Sequence, residues 1–100
     1  DGRGRIVDAE RNALLALGDW LRVNGEAIYG TRAWTRAEGL TADGREVRFT
    51  RKGRTLYSIV LSAAAGPLRL PDVPRPERVR VLGGGVAAFQ WDGGALSIAE

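Results

Sequence analysis

The sequence predicts a mainly β protein, an antiparallel β-sandwich preceded by one amphipathic α-helix. Up to Val23, apolar residues recur at spacings of three and four, whereas after Trp34 they alternate with polar residues. Turn signals rich in glycine and proline interrupt this second part every eight to twelve residues or so, a spacing typical of sandwiches and small barrels. With 100 residues, 44% of them apolar, the chain has room for one ordinary domain.

The helix is predicted to begin after Asp8, whose side chain can cap the first backbone N–H groups. Glu10 in the first turn suits the positive end of the helix dipole. Asn24 and Gly25 end the helix. Its apolar face consists of Ala13, Leu14, Leu17, Trp20, Leu21 and Val23.

The strands are predicted from alternation between turns. The segments are Glu46–Thr50, Thr55–Leu61, Leu68–Leu70, Arg78–Leu82, Val86–Trp91 and Ala95–Ile98. All four prolines fall between residues 67 and 76, so regular structure there is limited to a short edge strand. We therefore expect a helical segment at 1–25, a junction at 26–40 and a sandwich at 41–100.

The composition excludes several kinds of chemistry within these residues. Histidine and cysteine are absent, which rules out serine–histidine and cysteine–histidine nucleophiles and the usual transition-metal ligands. The glycine run 83–85 is followed by strand spacing rather than by the residues of a phosphate-binding loop, so it is interpreted as a turn. We expect no cofactor and no metal.

The net charge of +3 raises the question of nucleic-acid binding, with Arg48, Arg51, Lys52 and Arg54 as the candidate cluster. Fourteen arginines against one lysine, in an alanine- and glycine-rich chain, are typical of a GC-rich genome instead. Twelve acidic residues are interleaved with these cations. We expect neither a nucleic-acid partner nor a membrane partner, since no apolar run approaches the roughly 18 residues of a membrane span.

Carboxylates and tryptophans are the remaining candidates for a site. The carboxylate pairs Asp8/Glu10 and Glu38/Asp43 are explained by helix capping and by a polar loop. Trp34, expected in a loop, and Trp91, expected beside a hairpin turn, are the candidate sugar contacts. In the segment VNGEAIYGTRAW, residues 23–34, a pair of Glu26 with Arg32 is expected across an ordered connection.

The segment GDWLRVNGEAIYGTRAW, Gly18 to Trp34, resembles the end of the catalytic domain in α-L-fucosidases of glycoside hydrolase family 29. Upstream, Asp1–Ile6 is similar to the stretch before the last barrel helix of that family. Further segments resemble strands of its C-terminal sandwich, namely Val47–Gly53 with Leu56-Tyr57, Val81–Gly84 and Leu96–Ile98.

This resemblance implies the last helix of a TIM-like barrel followed by the C-terminal β-sandwich of a retaining enzyme that releases L-fucose from fucosylated glycans. In the family's order, the catalytic aspartate and its partner carboxylate lie upstream of Asp1, so no catalytic residue is carried over. Three departures stand out: most of the catalytic barrel is missing, Val7 replaces a common proline, and the family continues beyond Glu100, which allows for a missing last strand. The sequence does not indicate a cellular compartment. It is compatible with a fragment, with one piece of a split enzyme and with a complete small protein.

The resemblance implies a C-terminal part that braces the catalytic barrel, and two alternatives to this function remain. The first is a stand-alone sugar-binding sandwich that uses Trp34 or Trp91. The second is a self-associating module, because a helix without its barrel partner favours self-association by helix pairing or strand exchange.

Overall fold

The computed structural model describes residues 18–62 and 66–98. Residues 18–24 are helical, and a 3-10 turn follows at Gly25–Ala27. The strands are β1 (Arg32–Leu40), β2 (Glu46–Lys52), β3 (Thr55–Val60), β4 (Leu68–Leu70), β5 (Val79–Val81), β6 (Gly85–Ala87), β7 (Phe89–Asp92) and β8 (Ala95–Ile98). All strand pairs are antiparallel, which confirms the predicted mainly β fold. The first half of the predicted helix lies outside the described residues.

Sheet A has the order β1-β2-β3. The β2–β3 hairpin turns at residues 53–54, where Gly53 adopts a φ of +60° that other residues rarely take. The register of β1 against β2 shifts between Ala33 and Glu38, so β1 carries an irregularity near its middle.

Sheet B has the order β4-β8-β7, and β5 and β6 form a separate two-stranded hairpin. The prediction of Leu68–Leu70 as a short edge strand is confirmed, because β4 pairs only with β8 in this sheet. The prediction of one continuous strand over Val86–Trp91 is wrong, because the strand is interrupted at Ala88 and divides into β6 and β7.

The core lies between the two three-stranded sheets. Val47 and Phe49 from β2 form one buried cluster with Leu70, Val73 and Leu96 from the β4–β8 side, and Val47 is fully buried. Side chains two apart on a strand share a face, so Phe49 points into the core while Thr50 points to the opposite face of sheet A.

The 3-10 turn lies on that opposite face, because the Thr50 hydroxyl donates to the Ala27 carbonyl over 2.6 Å. The helix at 18–24 contacts the β5–β6 hairpin, where a Cβ added to Gly83 would lie 2.8 Å from the Val23 side chain. The connection after the helix is thus held against the sandwich.

One strand was not predicted. The expected junction at 26–40 contains β1 from Arg32 onward, so most of it belongs to sheet A. The division into a helical segment, a junction and a sandwich domain stays a prediction.

Candidate functional site

The connection after the helix is ordered by local hydrogen bonds. Tyr29 N–H donates to the Gly25 carbonyl over 2.7 Å, and the Thr31 hydroxyl donates to the Ile28 carbonyl over 2.7 Å. A Cβ at Gly25 would lie 2.5 Å from the Tyr29 ring, so a larger residue there would displace that ring. Gly30 has a φ of +70° and permits the bend into β1. These contacts order the segment that carries Glu26.

Glu26 joins three separate parts of the chain. Its Oε2 accepts a hydrogen bond from the Tyr57 hydroxyl of β3 over 2.8 Å and an ion-paired hydrogen bond from Arg80 of β5. We call Glu26, Tyr57 and Arg80 the Glu26 cluster. The expected pair of Glu26 with Arg32 is wrong, because the 3-10 turn directs the carboxylate across the sheet toward β3 and β5 instead.

The protonation of the Glu26 cluster follows from these contacts. The hydrogen bond from Tyr57, then that from Arg80, holds the pKa of Glu26 below its usual value, and Lys52 adds a smaller effect in the same direction. The same bond raises the pKa of Tyr57, because ionised Tyr57 would lose its acceptor and face a carboxylate. Glu26 therefore stays ionised near neutral pH, which makes it unsuited to act as a general acid.

The other candidate carboxylates are also engaged. Glu38 lies 3.7 Å from Arg48, and Asp43 accepts hydrogen bonds from the Thr41 hydroxyl and from Arg45 Nε at 3.1 Å. The Thr41 bond first, and Arg45 second, lower the pKa of Asp43. These contacts are those of ion-paired surface and turn residues. Asp8 and Glu10 lie outside the described part of the chain.

Trp34 was expected in a loop, but the structure places it in β1, where its side chain is half-buried. Its ring packs against Phe49 with centroids 5.3 Å apart at 57°. The guanidinium carbon of Arg36 lies 5.4 Å from the Trp34 centroid and 4.5 Å from that of Phe49. Much of the Trp34 ring is thus engaged in packing, and its role as a sugar contact stays a prediction.

Arg36 links the two sheets, a role that the sequence did not indicate. Its Nη2 donates to the carbonyls of Asp72 over 2.8 Å and Pro71 over 3.3 Å, in the segment after β4. A Cβ at Gly39 would collide with the Arg36 guanidinium and lie 2.8 Å from the Phe49 ring. Glycine at 39 therefore leaves the room in which Arg36 crosses to the second sheet.

Trp91 lies in β7, next to the predicted hairpin turn, and packs against the core. Its indole N–H donates to the Val73 carbonyl over 2.9 Å. Trp34 belongs to sheet A and Trp91 to sheet B. The sugar contact proposed for Trp91 is likewise still a prediction.

Within residues 18–62 and 66–98, no three acidic, histidine or cysteine side chains come together as a metal-binding group. In the same part of the chain, no helix has the length and apolar character to cross a membrane. No family model matches the sequence.

Several curated α-L-fucosidases are similar in sequence. An α-L-fucosidase from Branchiostoma floridae is 40% identical over 91 residues, which cover 88% of this chain and 20% of that protein. The tissue α-L-fucosidase of Bos taurus is 40% identical over 58 residues, 58% of this chain and 12% of that protein. The chain thus spans a fifth or less of the length of these relatives.

Solved structures give the same result for the fold. Thermotoga maritima α-fucosidase in complex with a mechanism-based inhibitor matches 93% of this chain with a TM-score of 0.78 and 36% identity. The same enzyme in complex with fucose matches with a TM-score of 0.78 and 38% identity. The matched part is 22% and 23% of those chains, at their C-terminal end. In sequence and in fold, this chain is similar to the C-terminal region of the α-L-fucosidases.

Proposed function

We propose that this chain is the C-terminal part of a retaining α-L-fucosidase, which releases terminal L-fucose from glycoconjugates, and that it braces the catalytic barrel. The observation that carries the proposal is the match over 93% of this chain to only 22% of the Thermotoga enzyme. A retaining glycosidase needs two carboxyl groups about 5–5.5 Å apart across the scissile bond. Glu26, Glu38 and Asp43 are instead each paired with an arginine or a hydroxyl of this chain, which favours a part that does not carry the catalytic pair.

The helix side offers a candidate surface for contact with the barrel. Trp20, Val23 and Ile28 are 39%, 46% and 43% exposed, and we call them the outer apolar surface. They belong to the helix at 18–24 and the turn that follows, and none of them is part of the buried core cluster. Apolar side chains grouped in this way are typical of a surface that another protein part covers.

The first experiment measures hydrolysis of an aryl α-L-fucoside by the purified 100-residue chain. We expect no turnover above the blank. Turnover that disappears when a carboxylate within residues 1–100 is replaced would refute the proposal, because catalysis would then reside in this chain.

The second experiment tests bracing. The coding sequence upstream of Asp1 is expressed in frame with this chain, and Trp20→Glu is compared with Val86→Glu, a substitution at a 76% exposed residue of β6. We expect Trp20→Glu alone to lower the melting temperature of the catalytic part and its activity. Equal effects of the two variants would contradict a specific contact at the outer apolar surface.

The outer apolar surface also supports self-association of the chain when the barrel is absent. We expect the molar mass from sedimentation to rise with concentration, and Trp20→Glu to restore a monomer. A monomer at all concentrations would remove this candidate.

Sugar binding at Trp34 or Trp91 is tested by tryptophan fluorescence during titration with fucose, where a saturable change is the supporting result.

A further inference from the structure

Two exposed leucines lie on the face of sheet A opposite the core, the face that also carries Thr50. Leu40 pairs with Glu46 across β1 and β2, and the Leu61 N–H donates to the Glu46 carbonyl over 2.9 Å. Residues directly opposite each other on neighbouring strands share a face, and so do Glu46 and Thr50, which are an even number of residues apart on the same strand. Leu40 and Leu61 are 54% and 51% exposed. We call Leu40, Glu46 and Leu61 the leucine patch.

The leucine patch is larger than a single exposed side chain. Neighbouring strands are about 4.8 Å apart, so the two leucines lie about 10 Å from each other on either side of Glu46. Ile59 is half-buried on the same face, because it pairs with Arg48, which follows Glu46 by two residues on β2. Single exposed apolar residues are common on soluble proteins, whereas neighbouring ones on one sheet face are typical of a surface that another protein part covers.

The charges around the leucines indicate the kind of partner. Arg48 lies 3.7 Å from Glu38 and 3.8 Å from Glu46, so one cation is shared by two carboxylates. Both distances exceed that of a hydrogen bond, and the side chains of Glu38 and Glu46 are 72% and 64% exposed, so each can accept from a further donor. A second copy seated on the same patch would bring two such carboxylate pairs together, which opposes an isologous dimer. The patch therefore suits an apolar surface that carries a cation.

The leucine patch lies on the side of sheet A from which the preceding chain arrives. The helix at 18–24 leads into the 3-10 turn, and the Thr50 hydroxyl holds this turn on the same face of the sheet. Along β2, Glu46 is about 13 Å from Thr50. In the Thermotoga enzyme the matched region is the C-terminal end, so the remaining part of that chain precedes it. A domain joined to the helix is thus within reach of the leucine patch.

We propose that the leucine patch is a second contact with the catalytic part of the longer protein, and that it binds an apolar surface that carries an arginine or a lysine. This inference rests on the proposed function, from which its occupant is taken. It goes beyond that function because the patch is formed by β1, β2 and the end of β3, apart from the outer apolar surface of the helix side. Contacts at two separate points fix the orientation of two domains, whereas a single contact leaves them free to rotate.

Hydroxyl-radical labelling with mass spectrometry tests the proposal, because leucine side chains are oxidised according to their exposure to solvent. The 100-residue chain is compared with the longer protein, in which the coding sequence upstream of Asp1 is expressed in frame. We expect the labelling of Leu40 and Leu61 to fall about threefold or more in the longer protein, since half-exposed side chains become nearly buried. Val86, 76% exposed on β6, is the control and should be labelled equally in both proteins.

Three outcomes of the labelling would overturn the proposal. The first is equal labelling of the leucines in the two proteins. The second is low labelling in the isolated monomer, because this chain would then cover the patch itself. The third is labelling of the isolated chain that falls as its concentration rises, because the occupant would then be a second copy.

Substitutions give a second readout. Leu40→Gln combined with Leu61→Gln is compared with Val81→Gln combined with Val86→Gln, a matched pair of exposed aliphatic residues on the β5–β6 hairpin. We expect only the leucine variant to lower the melting temperature of the longer protein, and both variants to leave that of the 100-residue chain nearly unchanged. An equal loss from the leucine variant in both proteins would show that the leucines stabilise the sandwich itself, which would overturn the proposal.

The facing cation is tested by Glu46→Gln in the longer protein. Its melting temperature should fall at low salt and by less at high salt, because salt screens exposed charge pairs. An unchanged melting temperature at low salt would overturn the assignment of a cationic partner surface.

Hydrolysis of an aryl α-L-fucoside by the longer protein separates this inference from the proposed function. Hydrolysis together with fully labelled Leu40 and Leu61 would overturn the contact and leave the function standing. A longer protein without hydrolysis would instead overturn the function, and with it the occupant of the patch.

Discussion

Replacement of Arg36 by methionine should destabilise the protein through the contacts between its two sheets. Methionine keeps an unbranched apolar stem of similar length, so the loss reports mainly on the guanidinium group. That group makes one short hydrogen bond, 2.8 Å to the Asp72 carbonyl, and lies 4.5 Å from the Phe49 ring centroid. The bonds to the carbonyls of Pro71 and Glu38 are longer, at 3.3 and 3.4 Å.

The magnitude follows from these two main contacts. A hydrogen bond from a charged donor contributes about 1.5–3 kcal/mol, and a cation–π contact at a partly exposed site adds about 0.5–1 kcal/mol. We therefore expect Arg36→Met to lower the free energy of unfolding by about 2–4 kcal/mol. For a domain of this size, each kcal/mol lowers the melting temperature by about 4–8 °C, so the shift should be about 10 °C or more.

Urea denaturation followed by tryptophan fluorescence measures this loss as a lower midpoint with an unchanged slope. Arg36→Lys keeps the charge but lacks the planar fork, and should lose most of the same free energy. Arg75→Met is the control at an exposed loop position, where we expect a change within about 0.5 kcal/mol. If Arg36→Met and Arg75→Met have the same midpoint, the link between the sheets does not depend on Arg36.

Three further predictions follow from the same structure. Gly39→Ala should displace Arg36 and press on the Phe49 ring, because the new methyl group would meet both; the midpoint should fall further in the Arg36 wild type than in Arg36→Met, and equal losses in the two backgrounds would contradict the collision with Arg36. Glu26→Gln removes the negative charge and should lower the pKa of Tyr57 toward 10.0, measured by tyrosinate absorbance in a chain whose other tyrosine is phenylalanine, and an unchanged titration would contradict an effect of the carboxylate charge on Tyr57. Because folding lowers the pKa of Glu26, the stabilisation by its carboxylate is present above pH 4.5 and is lost as the pH falls through the folded-state pKa. Because folding raises the pKa of Tyr57, the stabilisation by its hydroxyl is present below pH 10.0 and is lost as the pH rises through the folded-state pKa. The difference in the free energy of unfolding between the wild type and Glu26→Gln should therefore be largest between pH 4.5 and pH 10.0. Leu70→Ala, at a residue only 3% exposed, should lower the free energy of unfolding by about 2–5 kcal/mol, and a loss below 1 kcal/mol would place Leu70 outside the core.

The strands that the sequence predicted are those with aliphatic alternation and glycine at their ends. β2 and β3 are separated by a turn with Gly53, and β7 and β8 by Gly93 and Gly94, so short-range patterns suffice to find them. β1 was missed because its three less exposed positions are Trp34, Arg36 and Gly39 rather than aliphatic residues. A charged residue at an inward position has no apolar signal, although it packs on aromatic rings.

The contacts of the Glu26 cluster were beyond the reach of local patterns. Tyr57 and Arg80 are 31 and 54 residues from Glu26 along the chain. Arg32, the first cation after Glu26 in the sequence, was the wrong partner. Nothing in the spacing of these residues indicates that β3 and β5 both approach the 3-10 turn. The tertiary fold decides which of fourteen arginines meets the carboxylate.

The distribution of polar and apolar groups around the 3-10 turn bears on the bracing role. In a chain without further partners, the hydrophobic effect favours Trp20 and Ile28 toward the sandwich and Glu26 toward water. In the structure, Glu26 bonds to β3 and β5 while its side chain stays 43% exposed, and Trp20 and Ile28 are likewise 39% and 43% exposed instead of buried against the sandwich. Polar contacts therefore fix the turn to sheet A while these apolar side chains remain partly exposed. This arrangement suits a surface that is oriented by the sandwich and completed by the domain that the longer relatives possess.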